Sequence, residues 1–207
     1  MNNLGAFRAA RREFESRVVA VSASQTTLPT PCDDWDVHTL IDHIIAGDIF
    51  AARVLGGATM AEAVEGLIGA DAVSDDPLAS VRAAADAVDV AFSAKGAMER
   101  LVHHPIGDIP GSRFLDFRTM DYAGHAWDLA RATDQDETLD PRLVASLLSR
   151  IDVYTDMLGG SEHFGGGSSG GGSSSGDAAS AQLWLLDAMG RRPRDQPTDS
   201  IHASASS

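Results

Sequence analysis

The stretch Asp121-Tyr122-Ala123-Gly124-His125-Ala126-Trp127-Asp128-Leu129 decides how this chain folds. Leu115, Tyr122, Ala126 and Leu129 recur at helical spacing, and the pattern predicts a long helix from about Arg113 to Thr133. Arg118, Asp121, His125 and Asp128 follow the same spacing on another side. Such a stripe can be a solvated face, with the apolar residues supplying the core contact. It can also line a pocket, because Phe114 and Phe117 extend it toward the N-terminus. Asp121 and His125 stand at i and i+4, which places a carboxylate and an imidazole one turn apart on one face.

A third N/O donor, His43, lies about eighty residues earlier. Leu40, Ile41, Ile44, Ile45, Ile49 and Phe50 predict a helix over 37–55, apolar around much of its circumference. Asp36 is its expected N-cap, and Gly56-Gly57 ends it. A histidine there is either a core residue satisfied by one hydrogen bond or a ligand facing the later helix. Unpartnered, it would be costly among so many isoleucines, and Gly47, one turn on, leaves room beside the ring. Together His43, Asp121 and His125 could give a divalent metal three ligands and leave positions open for water or substrate.

Other segments complete an all-α expectation. Helices are predicted over 4–22, 78–98 (Pro77 in its first turn), 141–158 and 178–189, with a further short one within 60–72. Residues 28–35 and 103–112 read as loops, and no segment carries a strong strand pattern. The expected architecture is an up-down four-helix bundle with an additional short C-terminal helix. It forms one domain over 1–193, interrupted by a glycine-serine linker at 165–176 and followed by a disordered tail at 194–207.

Composition narrows the function. The 207 residues carry a formal charge of −14 and no basic stripe, so nucleic acid is not an expected partner. No apolar run of about 18 residues is present, so no membrane span is expected. The N-terminus lacks a basic-then-apolar leader, and Cys32 is the only cysteine, so the expected compartment is the reducing cytoplasm. Cys32 itself reads as a small buried residue. His38, His103, His104, His163 and His202 read as solvated or placed away from the candidate ligands.

These motifs carry a resemblance. Thr30-Pro31-Cys32-Asp33-Asp34-Trp35-Asp36-Val37 followed by Leu40-Ile41-Asp42-His43 resembles the opening of the mycothiol-dependent maleylpyruvate isomerase metal-binding domain, a member of the DinB-like superfamily. Asp121 through Thr133 is similar to the second signature of that group, and Leu185 through Arg191 resembles its closing helix. The resemblance implies a DinB-like bundle holding one divalent metal through His43, Asp121 and His125. Zinc is the first expectation, with nickel, manganese or iron as alternatives. The acidic ligand of the isomerase is a glutamate, where this chain has the shorter Asp121. The isomerase also carries a second C-terminal domain, so the isomerisation itself is not expected of this chain.

The function so implied is a thiol-dependent transferase or isomerase. A mycothiol-type thiol, activated by the metal, attacks an electrophilic small molecule. Asp128 and Arg131 would support the ligands or contact the thiol cofactor, unless they form an exposed salt-bridging turn. Two alternatives stay open: a hydrolase using metal-activated water, and a non-catalytic metal-binding protein. The expected assembly is a monomer or homodimer.

Overall fold

A computed structural model of the chain describes residues 1–151 and 177–191. The glycine-serine stretch, the tail from 194 and the predicted helix beyond Ile151 lie outside the described residues. Four long helices build the molecule: α1 (Asn3–Val18), α2 (Val37–Leu55), α4 (Pro77–Ser93) and α5 (Gly111–Ala132). A short α3 (Met60–Val64) follows α2, while α6 (Pro141–Leu148) and α7 (Ala178–Ala188) close the chain.

Local chemistry sets the starts of these helices. The Asp36 carboxylate accepts from the Thr39 amide at 2.8 Å, as its position before the apolar run predicts. Asp76 caps α4 in the same way, with Pro77 in the first turn, where its missing N–H costs nothing. The stops are less legible. Within the run predicted over 141–158, α6 closes at Leu148, where the Ser149 hydroxyl turns back onto the Ser146 carbonyl at 2.8 Å, and helix is assigned again at Ile151, the last residue described there.

The four long helices form a ring in which α5 packs between α1 and α2, and α4 closes the other side against both. Phe7, Phe14 and Phe92 meet in the interior, and Tyr122 touches Phe7 and Phe14 edge-to-face at 5.7 and 5.6 Å. Helix α5 is buried on nearly every side, including Arg118, His125 and Asp128. This rules out the solvated-face reading of its polar stripe. Groups of that kind remain inside only when they are paired or hydrogen-bonded.

The structure corrects the all-helical expectation in one place. Residues Leu101–His104 (β1) and Gly107–Pro110 (β2) form an antiparallel hairpin, with Val102 opposite Ile109 and His104 opposite Gly107. The strands are too short to show alternation, since each buries a single apolar residue, Val102 and Ile109. Pro105 starts the turn, and Pro110 ends the second strand before α5, so the prolines sit where a sheet tolerates them.

His104 leaves this hairpin to pack against Phe114 and Phe117, with ring centroids at 5.1 and 5.4 Å. Burial, with Arg118 nearby, pushes its imidazole down to about 4. The unfolded chain takes up this proton near pH 6.5 and the folded chain does not, so stability is full above about pH 6.5 and declines toward pH 4. The unscreened cost would be about 3 kcal/mol, and partial exposure reduces it to roughly 1–2 kcal/mol. Denaturant unfolding at pH 7 and pH 4.5 should show His104→Leu losing less stability on acidification than the wild type. Equal losses in both proteins would contradict the assignment.

Candidate metal centre

The site lies where α2 faces α5. His43 comes from α2, and Asp121 and His125 from α5. One donor atom from each falls within 4.8 Å of the others. His43 Nε2 stands 3.4 and 3.3 Å from the two Asp121 oxygens, and His125 Nε2 stands 3.2 Å from Oδ1. Charge-assisted hydrogen bonds close to about 2.7–2.9 Å. These contacts are longer, and the His43 nitrogen is aimed at neither oxygen in particular. Separations of about 3.3–3.5 Å are instead the edges of a tetrahedron with metal–ligand bonds of about 2.0–2.1 Å. The donor set therefore fits a divalent metal, and the structure brings together all three candidate donors named from the sequence.

The two histidines are held differently. His125 is 5% exposed, and its Nδ1 contacts Asp128 Oδ2 at 2.9 Å, the separation of a true hydrogen bond. That contact keeps the Nδ1 proton in place and turns Nε2 toward Asp121, the arrangement in which a carboxylate orients a metal-binding imidazole. Asp128 is fully buried and clamped by Arg191, with Nε 2.9 Å from Oδ1 and Nη2 2.6 Å from Oδ2. His43 is 37% exposed, and its ring lies 4.7 Å from the Trp35 ring. Trp35 also approaches His125 at 5.7 Å. Its position is set by a tight turn in which the Trp35 amide donates to the Cys32 carbonyl at 3.2 Å, with Asp34 left-handed at φ 64°.

Electrostatics follow from this packing. Burial alone would lower the His125 pKa, but hydrogen bonds to Asp121 and Asp128 hold it well above the usual histidine value. Burial alone would raise Asp121, but His43 and Arg118 hold it well below the carboxylate range. Asp128, against the same burial, is drawn down to about 2 by Arg191 and His125. A metal that binds His125 would therefore displace a proton from it.

Several functional neighbours were not legible as such in the sequence. Cys32, read there as a small buried residue, is half-buried at the site, with Sγ 3.4 Å from Asp128 Oδ2 and 3.8 Å from His125 Nδ1. Arg191, named in the sequence only as the end of the segment resembling the closing helix, is 10% exposed and serves as the clamp on Asp128. It reaches that carboxylate because Gly124 has no side chain: an added Cβ would meet Met189 Cε and come within 3.2 Å of the Arg191 guanidinium. The space beside Gly47 is filled by the guanidinium of Arg118. Asp128 stands behind His125 as its support. Arg131 lies over the Trp127 ring at 4.8 Å and 3.8 Å from Glu137, whereas the arginines that reach the site's carboxylates are Arg118 and Arg191. His38 pairs with Asp71 and His103 with Asp108.

Comparison with known proteins places this geometry in a family. Residues 7–130 match the family described as the mycothiol maleylpyruvate isomerase N-terminal domain. Uncharacterized proteins from two strains of Mycobacterium tuberculosis, CDC 1551 / Oshkosh and H37Rv, are each 35% identical over 149 residues. That alignment spans 72% of this chain and 77% of each relative. The crystal structure of the mycothiol-dependent maleylpyruvate isomerase superposes with a TM-score of 0.59 at 16% identity, covering 75% of this chain and 71% of that one. A histidine-to-alanine mutant of the isomerase gives 0.57 at 17% identity, covering 72% and 68%. At such identities these two structures establish the fold, a DinB-like helical bundle with a small hairpin. Among the described residues no helix is long and apolar enough to cross a membrane. On the extent of the sequence match and the shared fold, the chain belongs to the mycothiol maleylpyruvate isomerase N-terminal domain family.

Proposed function

We propose that this chain binds one divalent metal, zinc in the first instance, through His43, Asp121 and His125. It uses that metal to activate a small-molecule thiol of the mycothiol type for attack on an electrophilic small molecule. The observation that carries the metal reading is the convergence of three donors within 4.8 Å, with Asp121 3.2–3.4 Å from both imidazoles, backed by the buried Asp128 behind His125. Family membership supports the thiol. A metal at this position supplies a Lewis acid that lowers the pKa of a thiol bound at an open position.

The chain's own residues prepare that position. Asp128 retains the Nδ1 proton of His125, so the proton that a metal displaces is the one on Nε2. Arg191 neutralises Asp128 and keeps it from competing as a ligand. Trp35 packs on His43 and screens the cluster from bulk water, while the exposed edge of His43 marks the way in. Charge favours an anionic guest. The carboxylates of Asp48, Asp121 and Asp128 outnumber the guanidiniums of Arg118 and Arg191 by one, since three minus two leaves one. A divalent cation reverses that balance to a single positive charge, which one thiolate cancels.

Elemental mass spectrometry of the purified protein should find about one metal per chain. The loaded protein should then accelerate conjugation of a low-molecular-weight thiol with a chlorinated aromatic electrophile. No metal after reconstitution with zinc, nickel, manganese and iron would end this reading. Turnover that ignores the thiol would point to a hydrolase, and stoichiometric metal without turnover to a binding protein.

A further inference from the structure

Resting on the metal reading above, the geometry points to a second role within the site: Arg118 is a positioning residue that divides the two oxygens of Asp121, holding Oδ2 for itself and leaving Oδ1 to ligate. Its Nη1 donates to Asp121 Oδ2 at 2.5 Å, while Oδ1 faces His125 Nε2 at 3.2 Å. The guanidinium is itself pinned from behind. Nε and Nη2 donate to Asp48 Oδ1 at 3.1 and 2.8 Å, and Nη2 also donates to the Ile44 carbonyl at 3.0 Å. Asp48 is fully buried and accepts from the Tyr122 hydroxyl at 2.5 Å.

A planar fork tied at three points cannot swing to follow Asp121, so the carboxylate is fixed by the arginine. Gly47 makes this possible, because a Cβ there would fall on Nη1 and lie 2.8 Å from Cζ. Held in this way, a short aspartate ligates through one oxygen. The coordination position that a bidentate carboxylate would fill stays open for the incoming thiol.

Two variants test this without leaving a buried charge alone. Gly47→Ala keeps every charge and displaces the guanidinium. Asp48→Asn with Arg118→Met removes both partners of the buried pair. Each is loaded with cobalt(II), whose visible bands weaken as coordination number rises, and titrated with zinc against a chromophoric chelator. Both variants should fold by circular dichroism, show cobalt bands reduced at least about twofold, and bind zinc about 10–100-fold more weakly, the usual loss when a ligand's supporting contact is removed. Folded variants with wild-type cobalt spectra and zinc affinity would overturn the role of Arg118 and leave the metal site standing. A wild-type protein that binds neither ion would overturn the metal reading and this inference together.

Discussion

Replacing His125 with alanine is expected to weaken zinc binding by about 10²–10³-fold. Structural zinc sites with four ligands are worth about 10–16 kcal/mol, or about 2.5–4 kcal/mol per ligand. His125 is the donor best prepared to deliver its share, being 5% exposed and fixed by Asp128. His43→Ala should weaken binding less, because His43 is 37% exposed and oriented by ring contact with Trp35. Competition titration with a chelator would read both constants. Asp128→Ala belongs in the same series at about 10–100-fold, since it removes the support and not a ligand. Equal affinity in wild type and His125→Ala would remove the site from consideration, whatever happened to activity.

The second large effect concerns stability. Asp48→Ala should cost the metal-free protein about 3–5 kcal/mol, because it leaves the guanidinium of Arg118 buried without its main partner. In a chain of this size that lowers the unfolding midpoint by roughly 10–15 °C. Asp48→Asn with Arg118→Met should cost clearly less, since neither partner then remains as an unpaired charge. Chemical unfolding of the two variants beside the wild type gives the comparison. A double variant as unstable as Asp48→Ala would show that lost packing, not an unpaired charge, sets the cost.

Asp48 also shows what could have been read earlier. A carboxylate between Ile44, Ile45 and Ile49 in an apolar helix needs a buried cation, and Arg118 stands on the stripe of the helix it faces. The pairing itself was not legible, because spacing within one helix says nothing of its register against another. His104 was read as a solvated loop histidine, yet it packs among phenylalanines, since hairpin strands of four residues are too short to declare which face is buried.

By itself, the sequence determined the long helices, the Asp36 cap, and the placing of Asp121 and His125 on one helix face, because each rests on local repeats: 3.6 residues per turn, a capping side chain three residues from its amide, an i and i+4 pair. The tertiary structure alone decided what surrounds that pair. Arg191 reaches Asp128 across 63 positions, Arg118 reaches Asp48 across 70, and Cys32 and Trp35 are delivered by a turn between helices. Such contacts depend on how helices pack and where loops return, and the close approach of Arg118 and Arg191 depends on two glycines, Gly47 and Gly124, whose missing side chains show their purpose only when the neighbouring helix is in place.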